Sequence, residues 1–191
     1  MGLKSFFKRM FDTDPVPRRL YRRIVEQARQ PHFYAHWGVP DTVEGRFDMI
    51  TLHMFLVLNR LRFAKNDEKA AALAQELFDE MFLDMDHNLR EMGVSDVAVG
   101  GRVRKMAEAF YGRLAAYRSA MEAEGDDALK AALMRNIYGG NADEAALARL
   151  VSYVRVCHDQ LEKTDVRTLL KGEVRFCSPE DFESEGGAFC Q

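Results

Sequence analysis

The sequence predicts an all-α, single-domain helical bundle, and three observations predict it. Apolar residues recur at i, i+3, i+4 and i+7 along most of the chain, the period of a helix face, while no segment alternates with period two for more than a few residues. Capping residues and glycines punctuate these runs at helix-length intervals. The composition agrees: 47% hydrophobic and 30% charged, with only 5 prolines in 191 residues, a length that holds one domain with a sizeable core. About six or seven helices with short connections are expected.

The first stretch, MGLKSFFKRMF, places Leu3, Phe6, Phe7, Met10 and Phe11 on one helical face and Lys4, Lys8 and Arg9 off it. A short basic amphipathic helix of this kind suits a membrane surface, so residues 1–14 are read as a separate segment. The myristoylation pattern fails, because Ser5 stands one position early. Pro15 and Pro17 close this segment, and a helix is expected from about Arg18 to Arg29, stopped by Pro31. Residues 32–40, HFYAHWGVP, hold the chain's single Trp and form a loop too aromatic to be a bare linker. Asp41 with Glu44 reads as a capping box for a helix over 42–64, apolar on most of its circumference and therefore central. Asn66 should cap a helix over 67–92, with Leu73, Leu77, Met81, Met85, Leu89 and Met92 as its stripe. A connection, GVSDVAVGG, leads to a helix over 102–124. Asp126 caps a shorter helix to Tyr138, Asn141 with Glu144 starts another to Lys163, and one more turn follows near 165–171. The helical domain is thus 15–171, and 172–191 reads as a tail.

Charge and cysteines narrow the function. Net charge is −3, but residues 1–30 carry eight Lys/Arg against three Asp/Glu, and residues 122–191 carry eight against fourteen. A basic front suits phosphate, whether lipid headgroup or RNA, and leaves a ribosome- or RNA-associated adaptor open as an alternative. No run approaches the ~20 apolar residues that a bilayer span requires. With no secretory signal and three cysteines in no C-x-x-C pair, a cytoplasmic chain without a disulfide framework or zinc site is expected.

Catalytic signatures are missing. There is no G-x-G-x-x-G, P-loop, G-x-S-x-G or H-E-x-x-H. Cys157 beside His158 is a poor nucleophile–base pair, since neighbours on a helix point about 100° apart. Glu76, Glu80, Asp84 and His87 share a helix face and imitate half of a di-iron motif, but the second half is absent, so a solvated acidic face is expected. His32 and His36 have zinc-like spacing in a loop setting that spoils it. No catalytic residue, metal or cofactor is therefore assigned, although an all-α haem, quinone or metal binder stays open as an alternative. One polar feature stands out: Arg46, His53 and Arg60, spaced by seven, share a face of the apolar central helix. They read either as a satisfied polar seam, pairing with acids such as Asp41 or Asp96, or as the lining of a groove.

Several stretches stand together in order. They are Tyr34-Ala35-His36-Trp37-Gly38-Val39-Pro40-Asp41-Thr42 with Gly45-Arg46-Phe47, and His53-Met54-Phe55-Leu56-Val57-Leu58-Asn59-Arg60-Leu61. Further along come Phe82-Leu83-Asp84-Met85-Asp86, Leu89-Arg90-Glu91-Met92-Gly93-Val94 with Asp96 and Val99-Gly100, and, more weakly, Arg104-Lys105-Met106, Phe110-Tyr111-Gly112 and Arg135-Asn136-Ile137-Tyr138-Gly139. In this order and spacing the set resembles the ubiquinol–cytochrome c chaperone family. The match covers about 20–160, and Gly101 departs from it where the family often has a basic residue.

The resemblance implies a bacterial member with no reaction of its own, one that binds newly made cytochrome b or other bc1 assembly intermediates. It also implies a small co-chaperone or the ribosome as further partners, no DNA, and a place in the cytoplasm peripheral to the inner membrane. The client surface is expected at Tyr34, Trp37 and Val39 of the aromatic loop, with Asp41, Arg46, His53, Arg60, Arg90 and Asp96. The membrane surface is expected at Leu3, Lys4, Phe6, Phe7, Lys8, Arg9, Met10 and Phe11.

Overall fold

The structure is a computed structural model that describes residues 14–64 and 67–184. The amphipathic segment with Leu3, Lys4, Phe6, Phe7, Lys8, Arg9, Met10 and Phe11 lies outside the described residues, as does Asn66. The described chain is all helical, with no strand among the described residues: α1 (Val16–Ala28), α2 (Pro31–Ala35), α3 (Val43–Arg62), α4 (Glu68–Glu91), α5 (Asp96–Glu122), α6 (Asp127–Asn136), α7 (Glu144–Lys163), α8 (Val166–Leu169) and α9 (Pro179–Ser184).

The hub is α3, as its all-round apolar character predicts. Met49, Leu52, Met54 and Val57 are fully buried, and α1, α4, α5 and α7 all pack on it. One polar residue in each of its first two buried turns, Asp48 and Thr51, is buried as well. The stripe of α4 buries Leu73, Leu77, Met81, Met85 and Leu89 as expected, whereas Met92 lies beyond the helix and is exposed. The pair α4–α5 forms a long antiparallel hairpin, and α6 and α7 complete the bundle against α5 and α3.

Where the elements begin differs from the sequence reading for identifiable reasons. The cap of α3 is Thr42, whose hydroxyl accepts from Gly45 N at 3.1 Å, because the Asp41 carboxylate is engaged by Arg46. Asp67 caps α4 by accepting from Lys69 N and Ala70 N. Asp143, not Asn141, caps α7 through Ala146 N. Asp126 stands at the start of α6, but its carboxylate goes to Arg155 at 3.1 Å. Pro31 opens the short helix α2, where its missing N–H costs nothing, rather than only ending α1. Most of the stretch read as a connection before Arg102 is the first turn and a half of α5, held by the burial of Val99.

The stretch after Gly172 is packed rather than loose. Cys177 and Phe182 join the core, and Arg19 of α1 donates to the Lys171 carbonyl at 2.7 Å. Cys157 is free and buried, whereas Cys177 is disulfide-bonded, a cross-link that the cysteine spacing did not foresee.

Candidate functional site

The aromatic loop folds inward. Gly38 adopts φ +67, and Val39 N donates to Phe33 O at 3.1 Å, so the chain turns back on α2 and drives Trp37 and Val39 into the core. Trp37 is 0% exposed and its ring meets Phe33, Tyr153 and Phe182 edge-on, with centroids 5.2, 5.6 and 5.9 Å away. Tyr138 donates its hydroxyl to the Trp37 carbonyl at 2.9 Å. Trp37 and Val39 are thus core residues, which corrects their expected place on a surface.

His53 is corrected in the same way. It is completely buried among Phe33, Tyr153 and Phe176. Its Nδ1 lies 2.8 Å from the Met49 carbonyl, which can only accept, so Nδ1 carries the proton. Nε2 then accepts from the Tyr153 hydroxyl at 2.9 Å, and Tyr153 accepts from Gln27 Nε2 at 2.8 Å. Burial lowers the His53 pKa to about 4 and holds Tyr153 well above its ordinary value. It also pushes the Cys157 thiol up to about 11, so none of these groups is poised as a nucleophile or a base near neutrality.

The heptad series therefore passes through three environments. Arg46 is exposed and donates to Asp41 Oδ1 at 2.7 Å, a bond that holds the Asp41 carboxyl below its usual range. His53 is core. Arg60 is half-buried and donates to the Thr164 carbonyl at 2.9 Å, a cation at the C-terminal end of α7. The pairing of Arg46 with Asp41 is the one foreseen for a satisfied seam. Asp96, the other acid named for it, instead meets Arg90, which also donates to Asp86 at 2.6 Å, at the tip of the α4–α5 hairpin. That tip lies apart from the aromatic loop, so Arg90 and Asp96 do not join the other candidates.

The candidates that do converge on a surface are Tyr34, Asp41 and Arg46. With Arg29, Pro31 and Ala35 they line an open cleft of about 560 Å³. Tyr34 anchors it by donating to the Ala28 carbonyl at 2.7 Å.

A second cleft, of about 860 Å³, was missed in the sequence. It lies between α1 and α4, where the acidic face of α4 meets the arginines of α1 instead of solvent alone. Tyr21 donates to Asp84 Oδ2 at 2.9 Å, and Arg18 to Glu80 Oε2 at 3.3 Å. Leu83, 60% exposed, stands at its edge. The signal was present: the basic positions of α1 and the acidic ones of α4 both repeat at helical spacing.

For metals, ligand atoms of His158, Asp159 and Glu162 lie within 4.8 Å of one another on one helix. Asp159 and Glu162 are exposed, and His158 Nε2 is also 3.1 Å from Asn59 Nδ2. His32 and His36 stack ring on ring with centroids 4.5 Å apart, so the zinc-like pair packs as aromatics. Among the described residues no helix is long and apolar enough to cross a membrane.

Comparison with known proteins completes the picture. The family described as Ubiquinol-cytochrome C chaperone matches residues 35–176. Ubiquinol-cytochrome-c reductase complex assembly factor 1 of Xenopus laevis is 28% identical over 158 residues, covering 82% of this chain and 78% of that protein. The Mus musculus and Homo sapiens proteins of that name are 27% and 26% identical, covering 83% and 82% of this chain. The chain spans 53% and 52% of their lengths. The crystal structure of the Cbp3 homolog from Brucella abortus is 39% identical, superposes with a TM-score of 0.82, and covers 94% of this chain and 98% of its own.

Proposed function

The chain belongs to the ubiquinol–cytochrome c chaperone family, and from that premise we propose that it binds newly made cytochrome b and assists its assembly into the bc1 complex without catalysing a reaction. The observation that carries this reading is the extent of the family match, which runs from the end of α2 past α8 and so takes in the hub α3 and the helices α4 to α8. The similarity to assembly factors of the ubiquinol–cytochrome c reductase complex names the assembly. The chemistry of the interior agrees: its buried His, Tyr and Cys are all held in their neutral forms, which suits a scaffold.

In this reading the client touches the cleft of Tyr34, Asp41 and Arg46. The exposed Arg46–Asp41 pair offers hydrogen-bonding groups of both signs beside an aromatic ring, a fit for a polar segment of the client. The N-terminal amphipathic segment holds the protein at the membrane, and a small co-chaperone or the ribosome are further partners.

Capture from the host tests the reading. Tagged full-length protein should retain cytochrome b shortly after its synthesis. Tyr34→Ala with Arg46→Glu should cut the retained amount several-fold while the melting temperature stays within a few degrees of wild type. Absence of cytochrome b from the wild-type capture would overturn the reading. Undiminished capture by the double variant would remove the cleft from it.

A further inference from the structure

The chain carries three cysteines, Cys157, Cys177 and Cys190. Cys157 is free and Cys177 is disulfide-bonded, so the partner of Cys177 within the chain is Cys190, which lies outside the described residues. The loop that this bond closes encloses residues 178–189 and with them α9. Cys177 is the fixed end of that loop. It is buried, its carbonyl accepts from Gln27 Nε2 at 2.6 Å, and the same amide donates to Tyr153. On either side of it a phenylalanine enters the aromatic core. Phe176 meets His53 with centroids 5.2 Å apart, and Phe182 meets Trp37 and Tyr153 at 5.9 and 6.0 Å. Through Phe182, α9 packs on α2 and α7. Its 6 residues cannot hold a helix by themselves, since isolated helices shorter than about 12–15 residues are marginal in water.

We propose that Cys177 and Cys190 form a reversible redox strap, which clamps α9 over the aromatic core when oxidised and lets it lift when reduced. Closing the loop restricts the open ensemble of the enclosed segment, so α9 leaves the core less often while the bond is intact. Reduction leaves α9 held by its packing, with Phe182 as the anchor. The fixed end is satisfied in both states: the thiol freed at Cys177 finds an acceptor in Gln160 Oε1, 3.6 Å from its Sγ. Cys157 stays out of the exchange. It is fully buried, and burial pushes its thiol up to about 11, which leaves little thiolate to attack a disulfide. In the closing step oxidised glutathione is the oxidant. Each cysteine gives up its proton and the pair gives up two electrons, one S–S bond forms in the protein, and the glutathione S–S bond breaks to two thiols. Opening is the reverse step, driven by excess glutathione in a reducing compartment.

Trp37, the chain's single Trp, reports the strap, because its ring lies against Phe182. Full-length protein is equilibrated with oxidised or with reduced glutathione and read in three ways. In the oxidised sample the tryptic peptide 176–191, which contains both cysteines, should be lighter by two hydrogen atoms than in the reduced one and should refuse alkylation. Reduction should raise acrylamide quenching of Trp37 several-fold. It should also speed Glu-C cleavage after the exposed Glu180 at least tenfold, since cleavage follows the population of the open form. Cys190→Ser should behave as the reduced protein under both conditions, and Cys157→Ser should respond as wild type does. Two alkylatable cysteines in peptide 176–191 after oxidation, or a link from Cys177 to Cys157 or to a second chain, would overturn the pairing. A Cys177–Cys190 bond whose reduction changes neither quenching nor cleavage would overturn the strap.

Discussion

The imidazole of His53 and the hydroxyl of Tyr153 lie 2.9 Å apart inside the core, and every proton in their hydrogen-bond chain is accounted for. Gln27 Nε2 donates to Tyr153, Tyr153 donates to His53 Nε2, and His53 Nδ1 donates to the Met49 carbonyl. The chain ties α1, α7 and α3 together through groups that are expensive to leave unpaired when buried. Tyr153→Phe should keep the ring packing, orphan His53 Nε2 and cost about 1–3 kcal/mol in urea unfolding. A cost near zero would mean that the chain adds nothing to stability.

The pH dependence of stability should contain two opposed contributions. His53 titrates near 4 in the folded chain against an ordinary 6.5, because burial disfavours its charge. Between those values the unfolded chain binds the proton and the folded one does not, so stability falls as pH drops from 6.5 towards 4. Asp48 is raised from 3.8 to about 6, first by burial, with Arg113 2.7 Å away opposing the shift. Here the folded chain binds the extra proton, so its contribution grows as pH drops from 6 to 3.8. Asp48→Asn removes the second contribution, and its melting temperature should fall more steeply than that of wild type on acidification from pH 6.5 to 4.5. His53→Gln should show the reverse difference. Parallel profiles for all three proteins would contradict the assignment.

Trp37 separates packing from client binding. Trp37→Ala should lower stability by about 3–5 kcal/mol, since a fully buried ring is removed from a packed aromatic cluster. Its Nε1 is buried with no hydrogen-bond partner among the described residues, so Trp37→Phe forfeits ring volume and no hydrogen bond. The Phe variant should therefore be clearly more stable than the Ala variant, and it should capture client as wild type does. Loss of capture by a stable Trp37→Phe protein would return Trp37 to the binding surface.

Glycines should respond in opposite directions. A Cβ on Gly45 would sit 2.0 Å from the Pro40 carbonyl oxygen, so Gly45→Ala must push the loop off the start of α3 and should destabilise by more than about 2 kcal/mol. Gly100 and Gly101 sit inside α5 with open space around the added methyl. Each Gly→Ala change there should stabilise by up to about 1 kcal/mol. Thermal unfolding of the three variants checks the contrast.

Much of the fold was legible because it rests on periodicity. The stripe of α4 and the all-round apolar α3 are each read directly from spacing. What was not legible depends on partners distant in sequence. The aromatic loop announces that it packs on something, but its partners Tyr153 and Phe182 lie on α7 and beyond, so spacing could not say whether Trp37 turns inward or outward. Glycines at 100 and 101 disguised the start of α5, which Val99 secures by burial. Arg46 took the carboxylate that would have capped α3, and Arg155 took the one on Asp126. Of the expected client surface, Tyr34, Asp41 and Arg46 share a cleft, whereas Arg60, Arg90 and Asp96 lie elsewhere.

The most direct measurement of the central claim is removal of the gene from its host, followed by reduced-minus-oxidised haem spectra of the membranes. Selective loss of the b-type signal and of the bc1 subunits, with other cytochromes intact and recovery on restoring the wild-type chain, is the expected result. Normal bc1 levels in the deletion strain would contradict it.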